Sequence, residues 1–86
     1  MASYDVEITG AAERQLRKLD RSVKRRLLDA IWRLAEEPRP PGARKLTGPD
    51  DIFRIRVGRY RILYEVRDSR LIVMVLKVGH RRDVYR

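Results

Sequence analysis

Arg54, Arg56 and Arg61 are the residues from which a chemistry can first be read. They sit in the stretch Phe53-Arg54-Ile55-Arg56-Val57-Gly58-Arg59-Tyr60-Arg61-Ile62-Leu63-Tyr64, which alternates apolar and polar residues on either side of one glycine. Such alternation predicts two half-buried strands joined by a tight turn. With Gly58-Arg59 as a two-residue loop, Val57 faces Tyr60, Arg56 faces Arg61 and Ile55 faces Ile62. A side-chain period of two then gathers Arg54, Arg56 and Arg61 on one face. Phe53, Ile55, Val57, Tyr60, Ile62 and Tyr64 share the other, a core face. Like charges directly opposite each other destabilise a strand pair, so the arginine face makes sense as a site for an anion. Phosphate is the anion that forked guanidinium groups fit best. A general preference for arginine, 17 Arg against 4 Lys, accounts for the residue type and leaves the clustering unexplained.

The elements that must hold this face follow from pattern. Tyr4, Val6 and Ile8 alternate with Asp5 and Glu7, giving a first strand. Ala12, Leu16 and Leu19 then line one side of a helix with Thr9 as its N-cap. Asp20 and Ser22 are candidate caps for a second helix running to about Glu36. Its stripe is Val23, Leu27, Ile31, Leu34 and Ala35, widened by Leu28 and Trp32. Pro38-Arg39-Pro40-Pro41-Gly42 ends the helices and serves as a stiff connector. Ala43-Arg44-Lys45-Leu46 is a short strand or a turn, and Thr47 to Asp51 a loop. After the hairpin, a turn near Asp68-Ser69 leads into Leu71-Ile72-Val73-Met74-Val75-Leu76. Its unbroken apolarity predicts a central strand covered on both faces. Trp32, Tyr60 and Tyr64 are assigned to packing. The fold class is α+β, in the order β-α-α-β-β-β, with a helical hairpin on one face of a small, mainly antiparallel sheet.

The 86 residues are expected to form one domain over 1–86, close to the size at which a single core is only just sufficient. There is no cysteine, which removes disulfides and thiolate metal sites and fits a reducing cytoplasm. No signal peptide or transmembrane stretch is visible, so a membrane role is not expected. Net charge is +9. From Ile52 onward ten Arg or Lys stand against three acids, whereas the first 51 residues carry eleven against nine. The excess lies with the hairpin, as in a nucleic-acid binder or the partner of an acidic protein.

The order of elements and four local patterns resemble the RelE-type toxins of the RelE/ParE toxin–antitoxin superfamily, over essentially the whole chain. The patterns are Ala43-Arg44-Lys45-Leu46 with Gly48, Phe53 to Val57, Gly58 to Tyr64, and Val78-Gly79-His80-Arg81-Arg82-Asp83-Val84-Tyr85. The resemblance implies a ribosome-dependent messenger-RNA endoribonuclease acting in the ribosomal A site, held inactive by an acidic, RelB-like antitoxin. It maps the family's basic strand residues to Arg54 and Arg56, the arginine after the turn to Arg61, and the C-terminal basic pair and tyrosine to His80, Arg81 and Tyr85. Arg59 and Arg82 join Arg54 and Arg56 as substrate-binding positions. Arg54 and Arg56 stand where lysine is common in the family, and the sequence stops one residue past Tyr85.

The implied reaction is attack of an RNA 2′-hydroxyl on the adjacent phosphate with expulsion of the next 5′-oxygen. Arginine can neutralise the developing charge and cannot act as base, since it stays protonated. His80 and Tyr85 are the proton-transfer candidates. Histidine is the side chain whose unperturbed proton equilibrium lies nearest neutrality, but a surface histidine at a strand end explains His80 equally well. Tyr85 is a base in an arginine field, a base-stacking group, or an anchor for the C-terminal arm. No cofactor or metal is expected, with one histidine and no metal-ligand spacing. A ParE-like toxin that binds a protein such as gyrase without cleaving, or a decayed RNA-binding module, are the alternatives.

Overall fold

The computed structural model describes residues 3–46, 48 and 51–80. Two helices, α1 (Gly10–Arg17) and α2 (Arg21–Arg33), follow strand β1 (Asp5–Ile8). Strands β2 (Arg44–Lys45), β3 (Ile52–Val57), β4 (Tyr60–Arg67) and β5 (Ile72–His80) complete the order. They form one sheet in the order β1-β5-β4-β3-β2, antiparallel except where β1 runs parallel to β5. The expected α+β arrangement is present, and Arg44–Lys45 is a strand, not a turn. No helix among the described residues is long and apolar enough to cross a membrane.

Both helices bury one stripe against one face of the sheet. Ala12, Leu16, Leu27, Ile31 and Leu34 meet Phe53, Ile55, Ile62, Tyr64, Val66, Val73, Val75 and Val78 in a single cluster. Val57 and Tyr60 pack against its edge, so the core face expected of the hairpin is the one observed. Trp32 is different. It belongs to the α2 spacing yet is 55% exposed, because the stripe centred on Leu27 and Ile31 is narrower than the sequence suggests. The strand after Asp68-Ser69 also departs from expectation. Val73 and Val75 are buried while Ile72, Met74 and Leu76 are only half-buried. β5 is central, but the helices seal just one of its faces.

Thr9 joins the layers. Its hydroxyl accepts from the Ala12 N–H at 3.2 Å, capping α1, and donates to the Leu76 carbonyl at 2.9 Å. That carbonyl is available because β5 carries a bulge. Tyr64 pairs with Val75 and Leu63 with Lys77, which leaves Leu76 as the extra residue. Gln15 Oε1 accepts from the Val78 N–H at 2.7 Å just beyond it. The cap of α1 and one side chain within it therefore satisfy backbone groups at the irregularity, which would otherwise be costly to bury. Asp20 stands at the N-cap of α2, with no side-chain capping bond.

The proline-rich connector is pinned to the sheet. Tyr64 is fully buried and its hydroxyl donates to the Pro38 carbonyl at 2.7 Å. Arg39 forks onto Asp68 and lies 5.2 Å above the Phe53 ring, which stacks on Tyr64. Asp68 also accepts from the Tyr4 hydroxyl. The Arg39 guanidinium, then the Tyr4 hydroxyl, hold the Asp68 carboxyl below its ordinary range.

Burial pushes the Tyr64 phenol from 10.0 up to about 12, against a smaller opposing pull from Arg39. The folded state thus keeps this proton more tightly than the unfolded chain does. The associated stability is intact below pH 10.0 and is lost as pH rises through about 12. Urea midpoints should fall across that window, and Tyr64→Phe should flatten the fall while costing about 1 kcal/mol at neutral pH through the lost Pro38 bond. Identical alkaline slopes for both proteins would rule Tyr64 out as the source. At the hairpin turn, Gly58 has φ +61° and an added Cβ would lie 3.0 Å from Arg26 Nη2. Gly58→Ala should therefore destabilise by about 1–2 kcal/mol in the same measurement.

Candidate functional site

The site is built on the β3–β4 hairpin. Gly58 takes a positive φ and Arg59 does not, the combination found in a type II′ turn, whose twist suits antiparallel strands. The observed register is Val57↔Tyr60, Arg56↔Arg61, Ile55↔Ile62 and Arg54↔Leu63. Arg54, Arg56 and Arg61 consequently share the face away from the helices. Arg56 is exposed, and Arg54 and Arg61 are half-buried with their Nε atoms sealed from solvent.

Neighbouring strands extend the strip. Arg44 is the β2 partner of Arg54, and Lys77 the β5 partner of Leu63. The row Arg44, Arg54, Leu63, Lys77 crosses four strands, with Arg56, Arg61 and Gly79 forming the row beside it. Lys77 reaches this face only because the bulge at Leu76 resets the alternation. Val73 and Val75 point into the core before it, and Val78 does so after it. Beside the strip, a groove of about 320 Å³ is lined by Pro41, Gly42, Arg44, Arg54, Ile55 and Arg56. The acids at the ends of β3 and β4 are engaged by other cations. Asp51 pairs with Lys45 at 3.2 Å and Glu65 with Arg67 at 2.8 Å.

His80 ends β5. It pairs with Tyr60 in the ladder, one residue out of phase with Arg61↔Gly79, and its ring meets the Tyr60 ring edge-on at 5.9 Å. Since Tyr60 packs against the core cluster, His80 lies on the Tyr60 side of the sheet end. Strict alternation along β5 after the bulge is the reason. Arg59 is exposed at the hairpin tip, where the Arg26 guanidinium of α2 lies close to Gly58. Arg81, Arg82 and Tyr85 lie outside the described residues.

The sequence pattern omitted Arg44, Lys77 and Arg26. Arg44 joins through pairing across the loop between β2 and β3, Lys77 through a bulge, and Arg26 through helix docking. Chemically, the face can bind phosphates through several forks and can stabilise a pentavalent phosphorus bearing extra negative charge. Among the described residues, the arginines of this face supply no proton acceptor, since arginine stays protonated.

Residues 6–85 match the family model described as the ParE toxin of the type II toxin–antitoxin system parDE. Toxin RelG of Mycobacterium tuberculosis is 37% identical over 96% of this chain and 97% of its own. The mRNA interferase toxin RelE of Escherichia coli is 32% identical over 96% and 90%. In three dimensions the chain is similar to the RelBE2 toxin–antitoxin complex of M. tuberculosis, with a TM-score of 0.83 at 32% identity over 96% of this chain and 97% of that one. The isolated E. coli RelE toxin gives 0.80 at 31% identity over 96% and 92%. A helical hairpin on a five-stranded, mostly antiparallel sheet is thus shared architecture, and the chain belongs to the RelE/ParE superfamily as a RelE-type toxin.

Proposed function

We propose that this protein is the toxin of a type II toxin–antitoxin pair and an endoribonuclease that cuts messenger RNA in the ribosomal A site. The observation that carries the reading is Arg56 facing Arg61 across β3–β4, with Arg54 beside them on the sheet face left open by the helices. Like charges directly opposite each other disfavour a strand pair, and phosphate is the anion that such forked guanidinium groups fit best.

In the reaction, a base removes the 2′-hydroxyl proton and the resulting oxygen attacks the adjacent phosphorus. A bond from O2′ to phosphorus forms, the bond from phosphorus to the next O5′ breaks, and the departing oxygen takes up a proton. The products are a 2′,3′-cyclic phosphate and a 5′-hydroxyl. Arg61 and Arg56 neutralise the phosphorane, and Arg54 and Arg59 hold the flanking backbone. Of the two proton-transfer candidates, Tyr85 is favoured over His80, because the imidazole stands beside Tyr60 and away from Arg61. In sequence Arg81 and Arg82 follow directly on β5 and supply further positive charge.

A single-stranded message enters such a site best when something else holds it in line. Decoding on the ribosome does this, and action there places the protein in the cytoplasm. The solved relatives are described as RelB–RelE complexes, and the partner proposed here is likewise a RelB-like antitoxin. Its acidic, partly disordered segment would order on binding and mask the positive charge.

Purified protein should cut message in the presence of translating ribosomes. Arg61→Ala should lower that rate by ~10²-fold or more with an unchanged circular dichroism spectrum and retained antitoxin binding. Wild-type cleavage by this variant would remove the strip from the mechanism, and inhibition of DNA supercoiling without any RNA cleavage would establish the gyrase-directed reading instead. Replacing His80 with Gln should leave the cleavage rate within a few-fold of wild type, whereas Tyr85→Phe should depress it as strongly as Arg61→Ala does. A reversed order for these two would return the imidazole to the proton-transfer role.

A further inference from the structure

We infer that Arg44, with the groove it shares with Arg54 and Arg56, is a second phosphate-binding position, holding the RNA backbone beside the reacting linkage. This rests on the RNA-cleaving reading of the sheet face.

β2 is only two residues long, yet its pairing places Arg44 directly across from Arg54. Partners in a ladder project to the same side, so Arg44 adds a third column to the arginines of β3 and β4. One strand spacing of about 4.8 Å separates it from Arg54, and the Arg61 strand lies one spacing further. The groove of about 320 Å³ between this edge and the connector is walled by Pro41 and Gly42. Gly42 has φ +92°, and a Cβ there would meet nothing within 4 Å, so this wall stands clear of its surroundings. Among the described residues, the ionisable ones lining the groove are Arg44, Arg54 and Arg56, all cationic. Three forks around one depression suit a chain of phosphates better than an isolated carboxylate, because successive phosphates present successive bidentate acceptors.

The occupant is accordingly the sugar-phosphate backbone of the same RNA strand, leaving the reacting position between Arg56 and Arg61 and crossing β3 towards β2. A contact of this kind positions the strand without reading its bases. Arg44 is thus a positioning residue, expected to affect capture of the strand more than the chemical step.

The test measures binding of the full-length protein, without ribosomes, to a fluorescently labelled short single-stranded RNA that carries 2′-deoxy sugars and is not cut. Anisotropy titrations over a range of salt give the slope of log affinity against log salt. Arg44→Ala should reduce the steepness of that slope by ~0.7, the value for one phosphate contact on a single strand. Affinities for unrelated sequences should fall by a common factor. Arg14→Ala on α1 removes the same charge from an exposed helical position and should leave the slope unchanged. The proposal is overturned by an unchanged slope in Arg44→Ala, by an equal change in Arg14→Ala, or by weakened binding to an acidic peptide alone. Failure of the wild-type protein to cut message on ribosomes is a separate result, which removes the enzyme reading and leaves the binding measurement to be judged by itself.

Discussion

A sheet sealed by helices on one face and open on the other governs the rest of this structure. Because strand side chains alternate, every apolar residue committed to the core places its neighbours on the open face. Phe53, Ile55, Ile62 and Tyr64 are buried, and Arg54, Arg56 and Arg61 are displayed as a direct result. The core fixes the spacing of the arginines to that of the ladder itself. Such a framework is stiffer than a loop, which suits groups that must meet a phosphate in a defined geometry.

The bulge in β5 shows how far that constraint reaches. Without Leu76 as an extra residue, the alternation set by Val73 and Val75 would turn Lys77 inward and Val78 outward. With it, the valine remains in the core and the lysine joins the basic row. The backbone groups released by the irregularity are taken by Thr9 and Gln15 of the first helical segment. An apolar core and a charged face are reconciled within one strand, and the first helix supplies the polar groups that make this possible.

Much of this was legible in the sequence. The hairpin register, its glycine turn, the two helices and the Thr9 cap all follow from local patterns, because neighbours along the chain determine them. The other features depend on contacts between distant segments. Arg44 joins the site only through pairing with Arg54, and an isolated pair of basic residues carries no sign of its strand partner. His80 adjoins Arg81 in the chain, and only ladder phase shows that it stands next to Tyr60. Trp32 fits the helical period but falls outside the strip that the sheet can cover. The run from Leu71 to Leu76 overstated burial, since apolarity alone does not say whether a second layer exists.

That exposed indole has a practical meaning. Trp32 is the chain's single tryptophan, and it sits on the helical layer, with the core between it and the cationic strip. Its emission is therefore an intrinsic reporter for one side of the molecule. A protein partner that wraps the helices would change its colour and its accessibility to quenchers, while a polynucleotide lying along the strands would leave the signal where it was. The two kinds of encounter can be told apart in solution without adding a label.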